Sequence, residues 1–167
     1  FKLAVPGYEF EFPRDHGAHD AYQTEWWYFT GHLYGESGRR YGFEVTFFRV
    51  GVNLPSVVKE TPWDLDHLAL AHFAITDISG RDFRYYEKLN RVSPFTAGAA
   101  TGHLHVFNEG WRATTAADGS WRLQASAEGD SIDLTLRSAK PPAIHGENGI
   151  SVKAEGEGYA SHYYSMT

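Results

Sequence analysis

The chain has no cysteine among its 167 residues, which excludes disulfides and thiolate metal sites. That absence leaves the redox compartment open, because an exported protein need not use disulfides. No apolar run approaches the roughly 18 residues of a membrane-spanning helix. Positive charge is scarce: 15 Lys and Arg against 21 Asp and Glu give a net charge of −6, and the basic residues are scattered. A nucleic-acid binder carries a basic face, so this balance argues against nucleic acid and against anionic membrane surfaces. Long helical periodicity is missing too, as are internal repeats and low-complexity tracts. No Ser-His-Asp order or nucleophile elbow is visible, and Asp118-Gly119 is a turn, not a phosphate loop.

What is present is aromatic residues, at 16%, and glycine, at 17 residues. Together they indicate many strands joined by many turns. The length suffices for one domain with a real core. The chain begins at Phe1 without Met, and Ala160 to Thr167 (ASHYYSMT) reads as a strand cut short. A fragment of a longer polypeptide is therefore expected.

The most informative stretch runs from Thr24 to Arg49, TEWWYFTGHLYGESGRRYGFEVTFFR. Two aromatic and β-branched runs flank Glu36-Ser37-Gly38, and such residues fit half-buried strands. A three-residue loop ending in glycine is a common hairpin turn. It sets Gly31 opposite Phe43, Phe29 opposite Val45, Trp27 opposite Phe47 and Glu25 opposite Arg49. One face is then apolar, ending in a carboxylate and a guanidinium. The other carries Tyr28, Thr30, His32, Arg40, Glu44 and Thr46.

Before this hairpin, Tyr8, Phe10 and Phe12 alternate with Glu9 and Glu11, predicting a short strand ended by Pro13. Asp15-His16-Gly17-Ala18-His19-Asp20 reads as a polar loop. After it, Gly51 to Trp63, with Pro55 and Pro62, predicts a long loop or a short helical turn. A second hairpin, Leu65 to Arg91, turns at Ile78-Ser79-Gly80. A three-residue loop there pairs Ile75 with Phe83, Phe73 with Tyr85 and Ala69 with Leu89. A two-residue loop would set Ile75 against Arg84 and mix the faces, so the apolar pattern selects the first register. Glu87 and Arg91 then also fall on the apolar face.

Val92 to Gly102 is turn-like. A third hairpin, Gly102 to Ala127, turns at Ala117-Asp118-Gly119 and pairs Ala113 with Leu123. Glu128-Gly129 makes the next turn, pairing Leu123 with Leu134 and Trp121 with Leu136. Ser138 to Gly149 is a crossing loop, and Val152 to Thr167 gives one or two last strands. About nine or ten strands result. Trp27, Phe47, Ile75, Phe83, Leu123 and Leu134 are expected on one buried face. The fold class expected is all-β: an antiparallel up-and-down barrel of about 8–10 strands, a size that can hold one small ligand. A two-sheet sandwich is the structural alternative.

The run DHGAHDAYQTEWWYFTGHL, with YGFEVTFFR after it, resembles the lipocalin-like family that contains AttH-type proteins and carotenoid 1,2-hydratases. The resemblance continues through AHFAITDISGRDFRYYEKLNR, IDLTLRSAKPPAIHGENGIS and SHYYSMT. It implies that residues 1–159 form the first of two lipocalin-like β-barrel domains. Residues 160–167 would lead towards a missing C-terminal one. Many relatives carry export signals, which implies a periplasmic or secreted protein with an apolar cargo. A few relatives catalyse pericyclic reactions. No catalytic set and no cofactor carries over.

Three functions are therefore carried forward. The first is binding of a hydrophobic small molecule, lipid or isoprenoid-like, through Trp27, Tyr28, Phe47, Arg49, Phe73 and Tyr85. The second is an enzyme acting on an isoprenoid or polyene, a carotenoid 1,2-hydratase-like lyase. Its double bond would need an acid, and a carboxyl kept neutral by apolar surroundings can serve. Glu25 and Glu87 are the candidates, although the nearby Arg49 and Arg91 favour their ionised forms. The third is an accessory role beside a membrane transport complex. Glu25 and Arg49 are alternatively a cross-strand ion pair that fixes register. The Trp26-Trp27-Tyr28 cluster is explained about as well by core packing. His16 and His19 beside Asp15 and Asp20, and His103 with His105 on one strand face, raise the question of zinc. Loop histidines with acidic neighbours are usually solvated, and neither set matches a metal motif, so no metal is assigned.

Overall fold

The computed structural model describes residues 1–52 and 65–167. Apart from Gly51 and Val52, the expected loop from Gly51 to Trp63 lies outside the described residues. Four long strands, β1 (Thr24–Tyr34), β2 (Arg40–Gly51), β3 (His67–Asp77) and β4 (Asp82–Arg91), form one antiparallel sheet in chain order. Five more, β5 (Ala97–Ala99), β6 (His105–Asn108), β7 (Trp111–Thr115), β8 (Trp121–Ala127) and β9 (Asp130–Leu136), form a second, also in order. Two short pairs follow: β10 (Ala143–Ile144) with β13 (Tyr164–Ser165), and β11 (Ile150–Val152) with β12 (Ala160–His162). The described helical structure is one short 3-10 turn, Arg14–His16.

The chain is thus all-β and antiparallel, but among the described residues no strand ladder joins the two sheets into a closed barrel. They face each other across a common core of Phe43, Val45, Phe47, Phe73, Trp111 and Leu123, with smaller residues between. Side chains tie β4 to the second sheet. Arg84 grips Asp130 at 2.5 and 2.8 Å, Tyr86 Oη donates to the same carboxylate at 2.7 Å, and Asn90 Nδ2 donates to Asn108 Oδ1 at 2.7 Å.

The first hairpin has the expected register, with Glu25 opposite Arg49 and Trp27 opposite Phe47. So do the two later ones: Ala113 faces Leu123, Leu123 faces Leu134, and Trp121 faces Leu136. The second hairpin departs. Ile75 faces Arg84 and Phe73 faces Tyr86, because four residues, Ile78 to Arg81, make the turn. Arg81 takes the left-handed backbone position, at φ 53°, and the Asp77 carboxylate caps the Gly80 N–H at 2.8 Å. One residue of slip moves every β4 side chain across the sheet. Phe83 is therefore 64% exposed, and Tyr85, Glu87 and Leu89 point outward with it. The inward places go to Arg84, Tyr86, Lys88 and Asn90, whose polar ends reach the other sheet. Of the six residues expected on one buried face, Phe47, Ile75 and Leu123 are buried, Trp27 and Leu134 are half-buried, and Phe83 is not.

Other departures are local. Glu109-Gly110 turns β6 into β7, with Asn108 opposite Trp111, where one continuous strand is expected from sequence. Residues 92–102 and 138–149 contain β5 and β10. Tyr8, Phe10 and Phe12 form no strand; their rings stack among themselves and on Tyr164 and His162. The final segment gives two short strands, within the one or two expected, and they turn back to pair with β11 and β10.

Candidate functional site

Asp15 to Asp20 is not the solvated loop its composition suggests. Asp15, His16 and Ala18 are buried at one end of the two sheets. Gly17 allows this approach: a Cβ there would lie 2.5 Å from Gly102 N and 2.8 Å from Ala100 O. Ala18 N–H donates to Ala100 O at 2.8 Å, and Trp27 Nε1 donates to His16 O at 3.0 Å.

This loop delivers His19 to two carboxylates. His19 Nδ1 lies 2.6 Å from Glu25 Oε1, and its Nε2 lies 3.1 Å from Asp15 Oδ1. The His19 backbone N–H also donates to Glu25 Oε2, at 2.9 Å. Asp15 receives Arg14 Nε at 2.8 Å, Arg14 Nη2 at 3.0 Å and the Glu11 N–H at 2.7 Å. Arg49, only 4% exposed, donates Nη2 to His19 O at 3.0 Å, Tyr22 O at 3.1 Å and Glu25 Oε2 at 3.3 Å. Asp20 Oδ1 stands 3.6 Å from its Nε.

The neighbours set the protonation. The bond to Glu25 chiefly, then Asp15, raises the His19 pKa against the opposing effect of burial. Burial pushes the Asp15 carboxyl up, but Arg14, the Glu11 amide, His19 and Tyr8 together hold it well below the usual carboxylate range. Burial, assisted by Asp15, pushes the Tyr8 phenol up to about 12. His16 is lowered by burial, consistent with a neutral ring whose Nδ1 donates to Tyr164 Oη at 2.8 Å. Tyr164 Oη in turn donates to Asp15 O at 3.1 Å.

Aromatic rings surround this network. Tyr8 lies over His162 with ring centres 4.6 Å apart, and Tyr22 meets His162 edge-on at 5.7 Å. Several buried polar atoms have no hydrogen-bond partner: Arg49 Nε and Nη1, Ser161 Oγ and His162 Nδ1. Arg49 also lines a cavity of about 10 Å³ with Trp27, Phe47, Phe48, Leu70, Val92 and Phe107, among others, on the order of one water in size.

Of the residues expected to bind ligand, Trp27, Phe47 and Arg49 meet at this cavity. Phe73 lies deeper in the core, against Tyr86 and Trp111. Tyr28 and Tyr85 are exposed on the opposite face of the sheet, and Tyr85 Oη donates to Glu87 there at 2.7 Å. Glu87 is thus on the outer surface, away from Glu25. His16 and His19 have separate partners, and His103 lies in the bend before β6, not on the strand, with its ring 6.2 Å from that of His105. Among the described residues, no group of three or more His, Asp or Glu side chains is placed to hold a metal ion. Sequence reasoning missed the roles of Asp15, His19, His162 and Tyr164. The one signal for the loop was Gly17 within a charged hexapeptide, beside a Glu25 that alternation already placed inside.

The profile of the family described as AttH-like matches residues 3–167. The crystal structure of a candidate AttH from Nitrosomonas europaea is similar, with a TM-score of 0.82 and 32% sequence identity. The match covers 98% of this chain and 48% of that one, so the chain spans about half the length of its solved relative. No curated protein matches.

Proposed function

The chain belongs to the AttH-like family, and from that premise we propose that it is a lipocalin-like domain of a longer, exported protein that binds an apolar small molecule of lipid or isoprenoid type. One observation carries this reading: the buried Arg49, whose Nε and Nη1 make no hydrogen bond, helps line a small aromatic-walled cavity. Burying a guanidinium is costly, and its place beside aromatic walls supports a binding role for this end of the domain. The space between the sheets is filled, so this reading puts the ligand's body outside it, against cavity-lining residues such as Phe48, Leu70, Val92 and Phe107. The tie between the two facing sheets at Arg84–Asp130 supports reading them as two halves of a barrel-like domain. No helix among the described residues is long and apolar enough to cross a membrane.

Native mass spectrometry of the gently purified full-length protein, followed by solvent extraction, tests the reading. An apolar molecule bound in stoichiometric amount is expected. Its absence, together with failure to bind a fluorescent apolar probe, would overturn it.

The Asp15–His19–Glu25 chain favours a second reading, an enzyme acting on an isoprenoid or polyene. Glu25 has its oxygens occupied by His19 and Arg49, and Glu87 is outside, so the proton would come from a His19 imidazolium with one of its two carboxylate bonds, the longer one to Asp15, opened. Water addition to an acyclic carotenoid is the assay, and no turnover by intact protein would count against it.

A further inference from the structure

We infer that the outer face of the first sheet carries a separate site, which takes a small free quaternary ammonium compound over Gly42, between the Phe83 ring and Glu44. It does not depend on the apolar-ligand reading above, since Trp27 and Arg49 belong to the other face of the sheet.

A glycine marks the place. His32, Gly42, Thr76 and Phe83 form one row across β1 to β4, and Thr30, Glu44, Ala74 and Tyr85 form the next. Glycine inside a strand weakens it, and it signals a bulge, a close backbone approach or room for a ligand. The pairing runs through Gly42 on both sides without a bulge, and its φ is not left-handed. A Cβ there would stand 3.6 Å from Thr76 Cβ, an ordinary contact. Gly31 on β1 differs, because its Cβ would press on the Phe43 ring at 3.0 Å. Packing thus accounts for Gly31 and leaves Gly42 unexplained. Over Gly42, Ala74 and the short Thr76 lies an open trough of about 340 Å³, walled by His32 and Phe83. That size suits a small molecule.

Rings and charge select the ligand. Phe83 and, next to it along β4, Tyr85 are exposed at 64% and 47%. Tyr85 is fixed by its bond to Glu87 at 2.7 Å and by the edge of His72, with ring centres 5.6 Å apart. Glu44 lines the trough, and Thr46 Oγ1 donates to its carboxylate at 2.8 Å. From the row of Trp26 to that of His32, this face holds the carboxylates Glu44 and Glu87 and no Lys or Arg. Arg40 stands one row beyond, its guanidinium over the Tyr34 ring at 5.9 Å. Exposed rings beside carboxylates attract a cation, and a methylated ammonium also buries apolar surface against them. An anion would be repelled. A membrane phosphocholine headgroup would bring its phosphate to the same carboxylates, so a free molecule is the better match.

The test is a ligand-observed NMR titration of the full-length protein with choline and with the neutral alcohol that has tert-butyl in place of trimethylammonium. Choline is expected to bind about fivefold tighter than that isostere. Gly42→Val fills the trough. It is expected to leave the melting temperature unchanged or higher, valine being the better strand residue, and to reduce choline binding to background. Glu44→Gln is expected to weaken choline about threefold and to leave the alcohol unchanged. Equal binding of choline and the alcohol, choline binding retained in Gly42→Val, or a clear drop in that variant's melting temperature would overturn the inference. So would co-sedimentation with phosphatidylcholine vesicles in the absence of choline binding, or no binding at all, as when another part of the full-length protein covers this face. The apolar ligand is detected with its own probe, so failure of that reading is seen separately.

Discussion

Glu25 and Arg49 stand directly opposite each other across the first hairpin, yet each makes its shortest hydrogen bonds elsewhere. Glu25 is 2.6 Å from His19 Nδ1, whereas its contact with Arg49 is 3.3 Å. Arg49 is closer to the carbonyls of His19 and Tyr22 than to the carboxylate. The guanidinium is therefore a clamp on the segment 19–22 as much as half of an ion pair. Arg49→Ala takes one partner from the half-buried Glu25 carboxylate and the donor from two carbonyls, and should cost up to about 3 kcal/mol. Glu25→Gln should cost less, because the amide oxygen still accepts a hydrogen bond. Urea melts of both variants check the order, and a harmless Arg49→Ala would show that the clamp is not closed.

The His19 interaction should weaken with alkali. Its pKa is raised in the fold, so its contribution is full below the ordinary value of about 6.5 and is lost as pH rises through the folded value. Asp15 has the opposite sign: its depressed pKa gives stability above about pH 4 that is lost on acidification. The stability deficit of His19→Gln relative to wild type should be largest near about pH 5 and shrink towards alkaline pH. A deficit that grew with pH would contradict the assignment.

Gly17→Ala should destabilise by about 1–3 kcal/mol, because the new methyl meets the backbone of residues 100 and 102, which cannot rotate away. Gly110→Ala is the control. Its added Cβ meets open space, and a change within about 0.5 kcal/mol is expected. Thermal melts in parallel decide, and equal effects would mean that the loop is not packed as described.

Substitutions on β3 and β4 discriminate the two registers of the second hairpin. Phe83→Ser should shift stability by no more than about 0.5 kcal/mol, since the ring is solvent-exposed. Phe73→Ala, in the core, should cost about 3–5 kcal/mol. A large cost at Phe83 would restore the three-residue turn.

The registers of three hairpins were legible in the sequence because a glycine or a Glu-Gly pair sits where the turn needs a left-handed residue. Gly38, Gly119, Glu128 and Gly129 all have positive φ. The second hairpin failed by the same logic. Gly80 looked like the turn glycine, but Arg81 takes the left-handed position. The inward positions of β4 also carry polar residues that find partners on the other sheet. Apolar alternation reports burial only where the buried partners are apolar, and Arg84 with Asp130 is the counterexample.

What the sequence by itself determined is the local layer: strands, most turns, and the facing of Glu25, Trp27, Phe47 and Arg49 on one side of β1 and β2. These follow from the two-residue period of a strand and the chemistry of short loops. Only the tertiary structure decided that Asp15 to Ala18 is buried, and that Tyr164 holds His16 from 148 positions away. It alone also buried the Arg49 guanidinium with Nε and Nη1 outside any hydrogen bond. The reason is physical: a charged loop is stable in water or in the interior according to which partners meet it there. Those partners come from distant segments whose approach no local pattern encodes.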